Sequence, residues 1–176
     1  MTIRKLKTKN KSATSFSPFL TPPFVRTCSF NTKPIEYEQH CNWFQKTIAN
    51  QNVLFFLFFD EDTFVGQIRF NRESEQSNEC VISLSITKEY RVKHIAGKFL
   101  ELGIDELKKN WYNIYSVVAE VKDENTASNA LFLREGFELI SKVNTYKLSV
   151  MTSVCGGDKC RVEFYRTFQY HGEKAA

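Results

Sequence analysis

A chain of 176 residues, 42% hydrophobic and 25% charged, has the make-up of a soluble globular protein with one well-cored domain and is short for two. Its net charge of +4 admits an anionic ligand without calling for nucleic acid, and five irregularly spaced cysteines form no disulfide framework, which makes a reducing cytoplasm the expected setting. The greasiest run, Val53 to Phe59, falls far short of the ~20 residues of a membrane span, and no apolar stretch follows the basic N-terminus as a secretory signal would require.

Taken in order, Thr2 to Lys7 alternates as a first edge strand. Pro18, Pro22 and Pro23 restrict Lys11 to Phe30 to short helical pieces. Asn31-Thr-Lys-Pro34 reads as a helix start with Asn31 or Thr32 as cap, and the helix Ile35 to Ala49 places Tyr37, Cys41, Phe44 and Ile48 on one face. Val53 to Asp60 and Phe64 to Asn71 form a hairpin around Asp60-Glu-Asp62, and Gly66 within the second strand predicts a bulge or the close approach of another segment. After a polar turn from Arg72 to Asn78, Val81 to Thr87 is rich in β-branched and apolar residues and reads as the central strand. Lys88 to His94 is a basic turn, and a helical period then runs from Ile95 through Phe99, Leu102 and Leu107 to Lys108-Lys109-Asn110. Ser116 to Val121 is a further strand, Phe137 to Ser141 another and Cys160 to Phe168 the last, with His171 to Ala176 a loose tail. The whole chain, residues 1–176, reads as one domain in the order β-α-α-β-β-β-α-β-α-β-β.

A strand that opens through a basic loop into a helix aims several backbone N–H groups at one point, an arrangement suited to a phosphate. Here the loop reads Arg91-Val-Lys-His94-Ile-Ala96, followed by Gly97, and is similar to the motif Q/R-x-x-G-x-G/A, with His94 where a glycine is usual. Downstream, Asn125-Thr-Ala-Ser128-Asn-Ala-Leu131-Phe132-Leu-Arg-Glu-Gly136-Phe137 is similar to N-x-x-S-x-x-L-[YF]-x-x-x-G-F. On these two stretches and the distance between them, the chain resembles the GNAT N-acetyltransferase superfamily; Lys142 to Lys159 fits that family's pattern least.

The resemblance implies an α/β fold with a mixed central sheet of about six to seven strands, splayed between its two central strands and flanked by about four helices. It also implies acetyl-coenzyme A as acyl donor, no metal, and a primary amine as acceptor. The coenzyme pyrophosphate would rest on the N–H groups of Val92, Lys93, His94, Ile95, Ala96 and Gly97, with charge from Arg91 and Lys93. The Ile86 backbone would lie near the thioester carbonyl, and Asn125, Ser128 and Phe132 along the coenzyme arm. Phe132 stands where many members carry a tyrosine that protonates the leaving thiolate.

Attack on a thioester needs a neutral amine, hence a base. Glu120, which ends an apolar strand beside the splay, is the first candidate, though it reads equally as an outward residue paired with a lysine; Glu79, which opens the central strand, is the second. Ser83 and Ser85 share one face of that strand, where a hydroxyl could touch substrate or relay a proton, or simply pack. Gln67 and Arg69 alternate on the preceding strand, where they could meet substrate phosphates or sugar hydroxyls.

The stretch SFNTKPIEYEQHCNWFQKTI has a narrower likeness, to acetyltransferase domains acting on nucleotide-linked amino-sugars. That likeness implies an amino-sugar nucleotide as acceptor, with Asn31 and His40 on the substrate side, and no nucleic-acid or membrane partner. A peptide N-terminus or another small amine is the alternative acceptor, and a non-catalytic acyl-coenzyme-A or sugar-nucleotide binding module the alternative class, as monomer or homodimer. Cys155-Gly-Gly-Asp-Lys-Cys160 reads as a glycine turn between strands, because one C-x4-C pair alone is poor evidence for zinc.

Overall fold

The run VLFFLFF, which Asp60 closes, is unbroken in apolar residues and both of its faces are covered. In the computed structural model, which describes residues 2–5, 36–91, 95–122, 124–141 and 145–149, it is the second strand of a seven-stranded sheet. The elements are β1 (Thr2–Lys5), α1 (Tyr37–Ala49), β2 (Val53–Asp60), β3 (Thr63–Asn71), β4 (Glu79–Ile86), α2 (Lys88–Arg91), α3 (Ala96–Asn110), β5 (Ser116–Glu120), α4 (Thr126–Arg134), β6 (Glu138–Ser141) and β7 (Thr145–Ser149). The strand order is β1-β2-β3-β4-β5-β7-β6, and every neighbouring pair is antiparallel except β4 with β5.

Leu54, Phe56 and Phe58 point from β2 into the larger core, together with Ile68 and Phe70 of β3, Cys80 and Ile82 of β4, and Phe99, Leu100, Ile104 and Leu107 of α3. Phe58 stacks on Phe99 with ring centroids 4.0 Å apart. Phe55, Leu57 and Phe59 point the other way, into a smaller core closed by Phe44 of α1. Each such phenylalanine contributes about 1.5–3 kcal/mol by leaving water, so β2 is the most heavily anchored strand.

Gly66 carries both meanings expected of it. The register against β2 shifts between Phe58 and Phe59, with Val65 the extra residue on β3, which is a β-bulge. A methyl group on Gly66 would also lie 2.5 Å from the Ser85 carbonyl oxygen and 2.9 Å from the Phe99 ring, so β4 and α3 approach closely there.

Several expectations need correction. The first long helix begins at Tyr37 with Glu36 at its cap position, two residues later than Ile35, and its phase differs from the face expected. His40 and Phe44 are buried, Ile48 packs beside them, and Tyr37 is 61% exposed. Lys88 to Arg91 is a helical turn rather than a plain loop, because the Tyr90 N–H bonds the Thr87 carbonyl at 3.1 Å. Lys142 to Lys159, to which no strand was assigned, contains β7, inserted between β5 and β6. The caps at Asn31 and Thr32, the Lys11 to Phe30 pieces, the Cys160 to Phe168 strand, the Cys155 to Cys160 turn and the tail from His171 lie outside the described residues. Among the described residues no helix is long and apolar enough to cross a membrane, and no cluster of three or more His, Cys, Asp or Glu could hold a metal ion.

Candidate active site

β4 and β5 run side by side only from Glu79↔Ser116 to Ile82↔Ala119. β4 continues four residues further, to Ile86, while β5 ends at Glu120, so the strands part above Ile82. Strand alternation decides what lines that gap. The Thr87 N–H bonds the Val65 carbonyl at 2.9 Å, so the main-chain groups of Ser83 and Ser85 face β3, and those of Leu84 and Ile86 face the β5 side. The Ile86 carbonyl accepts Arg91 Nε at 3.0 Å. The N–H groups of Leu84 and Ile86 are left aimed into the fork, where main-chain donors need a partner that another extended chain can supply.

Cross-strand register gathers five of the expected residues around the base of this fork. Gln67 faces Ser85 and Arg69 faces Ser83 across β3 and β4. Glu120 lies two residues beyond Val118, which pairs with Val81, so Glu120 shares the face of Ser83 and is exposed there. Glu79 lies on the same face but about 13 Å further down the strand from Ser83, at 3.3 Å per residue, and accepts a hydrogen bond from the Ser116 hydroxyl at 2.9 Å. His40 is buried within α1, its ring 5.4 Å from that of Trp43. Asn31, Val92, Lys93 and His94 lie outside the described residues.

The first turn of α3 follows the fork. Ile95 occupies the cap position with helical dihedrals, no side chain caps the helix, and the first turn, which includes Ala96 and Gly97, holds no acidic residue. Its leading N–H groups are therefore donors without partners in the helix. Nothing in the sequence motifs signals what lies beside them: the Glu135 carboxylate, past the end of α4, whose Oε1 a methyl on Gly97 would strike. Arg134 Nε donates to the same oxygen at 3.0 Å.

On the other side of the fork, Asn125 caps α4, its Oδ1 accepting the Ser128 N–H at 3.2 Å. The helix ends at Gly136, which has φ +86°. The Phe137 N–H bonds the Phe132 carbonyl at 2.9 Å and the Gly136 N–H bonds the Leu133 carbonyl at 3.2 Å, which is a Schellman stop. The Phe132 and Phe137 rings meet edge to face at 4.9 Å in the core. The Gly-Phe of the downstream motif is thus a helix terminator, and Phe132 is a packing residue. Another contact not foreseen joins the Tyr90 hydroxyl to Asp60 Oδ2 at 3.1 Å, tying α2 to the β2–β3 turn; burial, and then this bond, raise the Tyr90 pKa.

A parallel seam that opens into an amide-lined fork beside a helix start without a side-chain cap offers main-chain donors to an extended, anionic ligand. The sequence profile of the acetyltransferase (GNAT) family matches residues 17–137, and the chain belongs to that family. It is an acyltransferase with acetyl-coenzyme A as donor and an amine as acceptor. No curated protein sequence matches it. Among solved structures it is similar to the spermidine N-acetyltransferase from Vibrio cholerae in complex with CoA and spermine, at 13% identity, TM-score 0.66, covering 83% of this chain and 90% of that one. It is similar to a GNAT-family acetyltransferase from Streptococcus pneumoniae at 16% identity, TM-score 0.61, with 83% and 96% covered. A ribosomal L7/L12 alpha-N-protein acetyltransferase gives 16% identity, TM-score 0.66 and coverage of 85% and 96%. At such identities the likeness bears on the fold alone.

Proposed function

We propose that this chain acetylates the primary amine of a nucleotide-linked amino-sugar in the cytoplasm, with acetyl-coenzyme A extended between β4 and β5. The observation that carries the donor's place is the end of the β4–β5 pairing at Ile82↔Ala119, which leaves main-chain donors on β4 turned toward the gap. The acceptor class rests on the likeness of the Phe30 to Phe44 stretch and on the polar face of Gln67, Arg69, Ser83 and Ser85 beside the fork.

The described residues fit such a donor in three respects and resist it in one. The fork is open, the α3 start is uncapped, and Asn125 stands at the facing helix end with its side-chain N–H2 not used in the cap bond. Glu135 opposes an anion at Gly97, but its charge is already shared with Arg134, and as the tip of a flexible side chain it can swing aside. The coenzyme supplies an activated acetyl thioester; the protein's tasks are to take a proton from the amine and to hold negative charge. Glu120, exposed at the fork, accepts the amine proton directly or through water, with Ser85 as relay. The Ile86 N–H is directed at the developing oxyanion. With Phe132 buried and lacking a hydroxyl, the thiolate, of pKa about 8.5 if like a free thiol, leaves without a protein acid.

Calorimetry with acetyl-coenzyme A, followed by thiol release on adding a 4-amino-sugar nucleotide, spermidine or a peptide with a free N-terminus, tests both halves. The expected result is binding, with the fastest release from the sugar nucleotide. Glu120→Gln is expected to lower kcat about 10²–10³-fold and leave donor binding unchanged. Absence of donor binding overturns the placement in the fork, and faster release with spermidine or peptide overturns the acceptor.

A further inference from the structure

Outside the fork, a groove of about 340 Å³ lies between the second half of α1 and the sheet, lined among others by Trp43, Lys46, Asn50, Arg69 and Asn71. Its lining has two cations and two amides and contains no carboxylate. Arg69 is the unusual member. Among the described residues its Nε is buried with no hydrogen-bond partner, and its guanidinium rests 5.1 Å from the Trp43 ring centroid. A desolvated guanidinium is normally matched by a carboxylate or phosphate, because burying a charge without a counter-charge is costly. A cation–π contact offsets about 0.5–2 kcal/mol of that cost and leaves the buried Nε donor unanswered among the described residues. Burial lowers the Arg69 pKa.

We propose that this groove is a phosphate-binding subsite for the acceptor, with Arg69 gripping the phosphate oxygens, Lys46 adding charge at the rim, and Asn50 and Asn71 supplying amide donors. The identity of the acceptor, though not the anion site itself, rests on the sugar-nucleotide reading above. The spacing suits it. Arg69 stands opposite Ser83, and Ile86 lies three residues on, which puts Arg69 about 10 Å along the strand from the level of the Ile86 N–H. That distance is spanned by a sugar ring and its phosphate linkage. A polycationic acceptor would instead meet two like charges, so the groove selects against it.

The test is calorimetric titration of the full chain with inorganic pyrophosphate, run with and without saturating coenzyme A, which fills the fork and removes it as a competing anion site. Pyrophosphate is expected to bind in both conditions, with Arg69→Met weakening it about tenfold or more, as for loss of a bidentate charged pair. Lys46→Met, at an exposed helix position where misfolding is not at issue, is expected to weaken it about threefold. Both variants are expected to raise KM for a sugar nucleotide, and Lys46→Met, which lies outside the fork's polar face, to leave KM for a phosphate-free amino-sugar unchanged. Pyrophosphate that fails to bind, or binds equally well to wild type and both variants, overturns the subsite. If Arg69→Met does not fold, Lys46→Met alone decides. Failure of coenzyme A to bind counts against the donor's place in the fork and leaves the pyrophosphate result standing.

Discussion

Gly66→Ala places one methyl group against three neighbours that cannot all retreat. The new carbon would lie 2.5 Å from the Ser85 carbonyl oxygen, 2.9 Å from Phe99 Cε2 and 3.2 Å from the Ile86 Cα. Two of these are backbone of β4, and the third is a ring held in a stack on Phe58 at 4.0 Å. Relief requires β3 and β4 to separate at Gly66↔Ile86, the rung next to the fork. Overpacking a tight core costs about 1–3 kcal/mol, and contact with main chain places this case at about 3 kcal/mol. For a chain of this size that corresponds to a fall in Tm of about 6–12 °C. Because the Ile86 N–H moves with its strand, the affinity for acetyl-coenzyme A is expected to fall as well. Gly97→Ala is the control. Its methyl meets Glu135 Oε1, the loose end of a long side chain, and a glycine-to-alanine change in a helix gains about 0.5–1 kcal/mol, so its stability is expected to stay within about 1 kcal/mol of wild type. Thermal and urea unfolding followed by circular dichroism measure both. A Gly66→Ala variant as stable as wild type, or a Gly97→Ala variant damaged equally, would refute the reasoning from close approach.

Other outcomes follow from single residues. Asn125→Ala loses the bond to the Ser128 N–H and is expected to cost about 1 kcal/mol in urea unfolding, and a Ser replacement to restore most of it. Gly136→Ala forces a methyl into φ +86° and is expected to cost about 1–2 kcal/mol although nothing lies within 4 Å of the new carbon, which separates backbone strain from crowding. Glu61 sits at φ +53° in the β2–β3 turn without being glycine, so Glu61→Gly is expected to gain up to about 1 kcal/mol in the same assay. Burial pushes the Cys80 thiol from its ordinary value of 9.0 up to about 12, with Glu79 adding to the shift and Arg72 opposing it. A raised folded value favours the fold below pH 9, where both states carry the proton, and this contribution is lost as pH climbs from 9 toward 12 and the unfolded thiol ionises. In a variant retaining only Cys80, a disulfide reagent at pH 8 is expected to react only on adding denaturant; prompt labelling of the folded chain would count against that burial.

How far the sequence reached depended on whether the signal was local. The β2–β3 hairpin was legible because an apolar run, an acidic turn and a second run are adjacent, and β2 came out at the bounds expected, Val53–Asp60. The fork was legible through its flanking motifs, although their glycines say nothing of which amides point where; that required the register of Thr87 against Val65. Tyr37 was assigned to the buried face and His40 was not, since a helical wheel fixes spacing and leaves the phase to whatever the helix packs on, here Phe55, Leu57 and Phe59. β7 was missed although Thr145 to Ser149 alternates, because five short residues signal weakly until β5 and β6 are there to pair with them. The Trp43–Arg69 groove was out of reach, as it joins a helix to a strand 26 positions away through a register no spacing reveals. Arg69 itself was visible as a polar residue on the useful face, but its lack of a counter-charge among the described residues was not.

The four rungs joining Glu79–Ile82 to Ser116–Ala119 make the sheet two leaves sewn along a short hem. One leaf, β1 to β4, and the other, β5 to β7, each close on themselves through antiparallel ladders, so a twist along the hem changes the width of the mouth without unzipping either. The two leaves meet again through α3 and α4 in one core, and the crossing between α3 and β5 is where a severed chain would still have two self-paired pieces to bring back together.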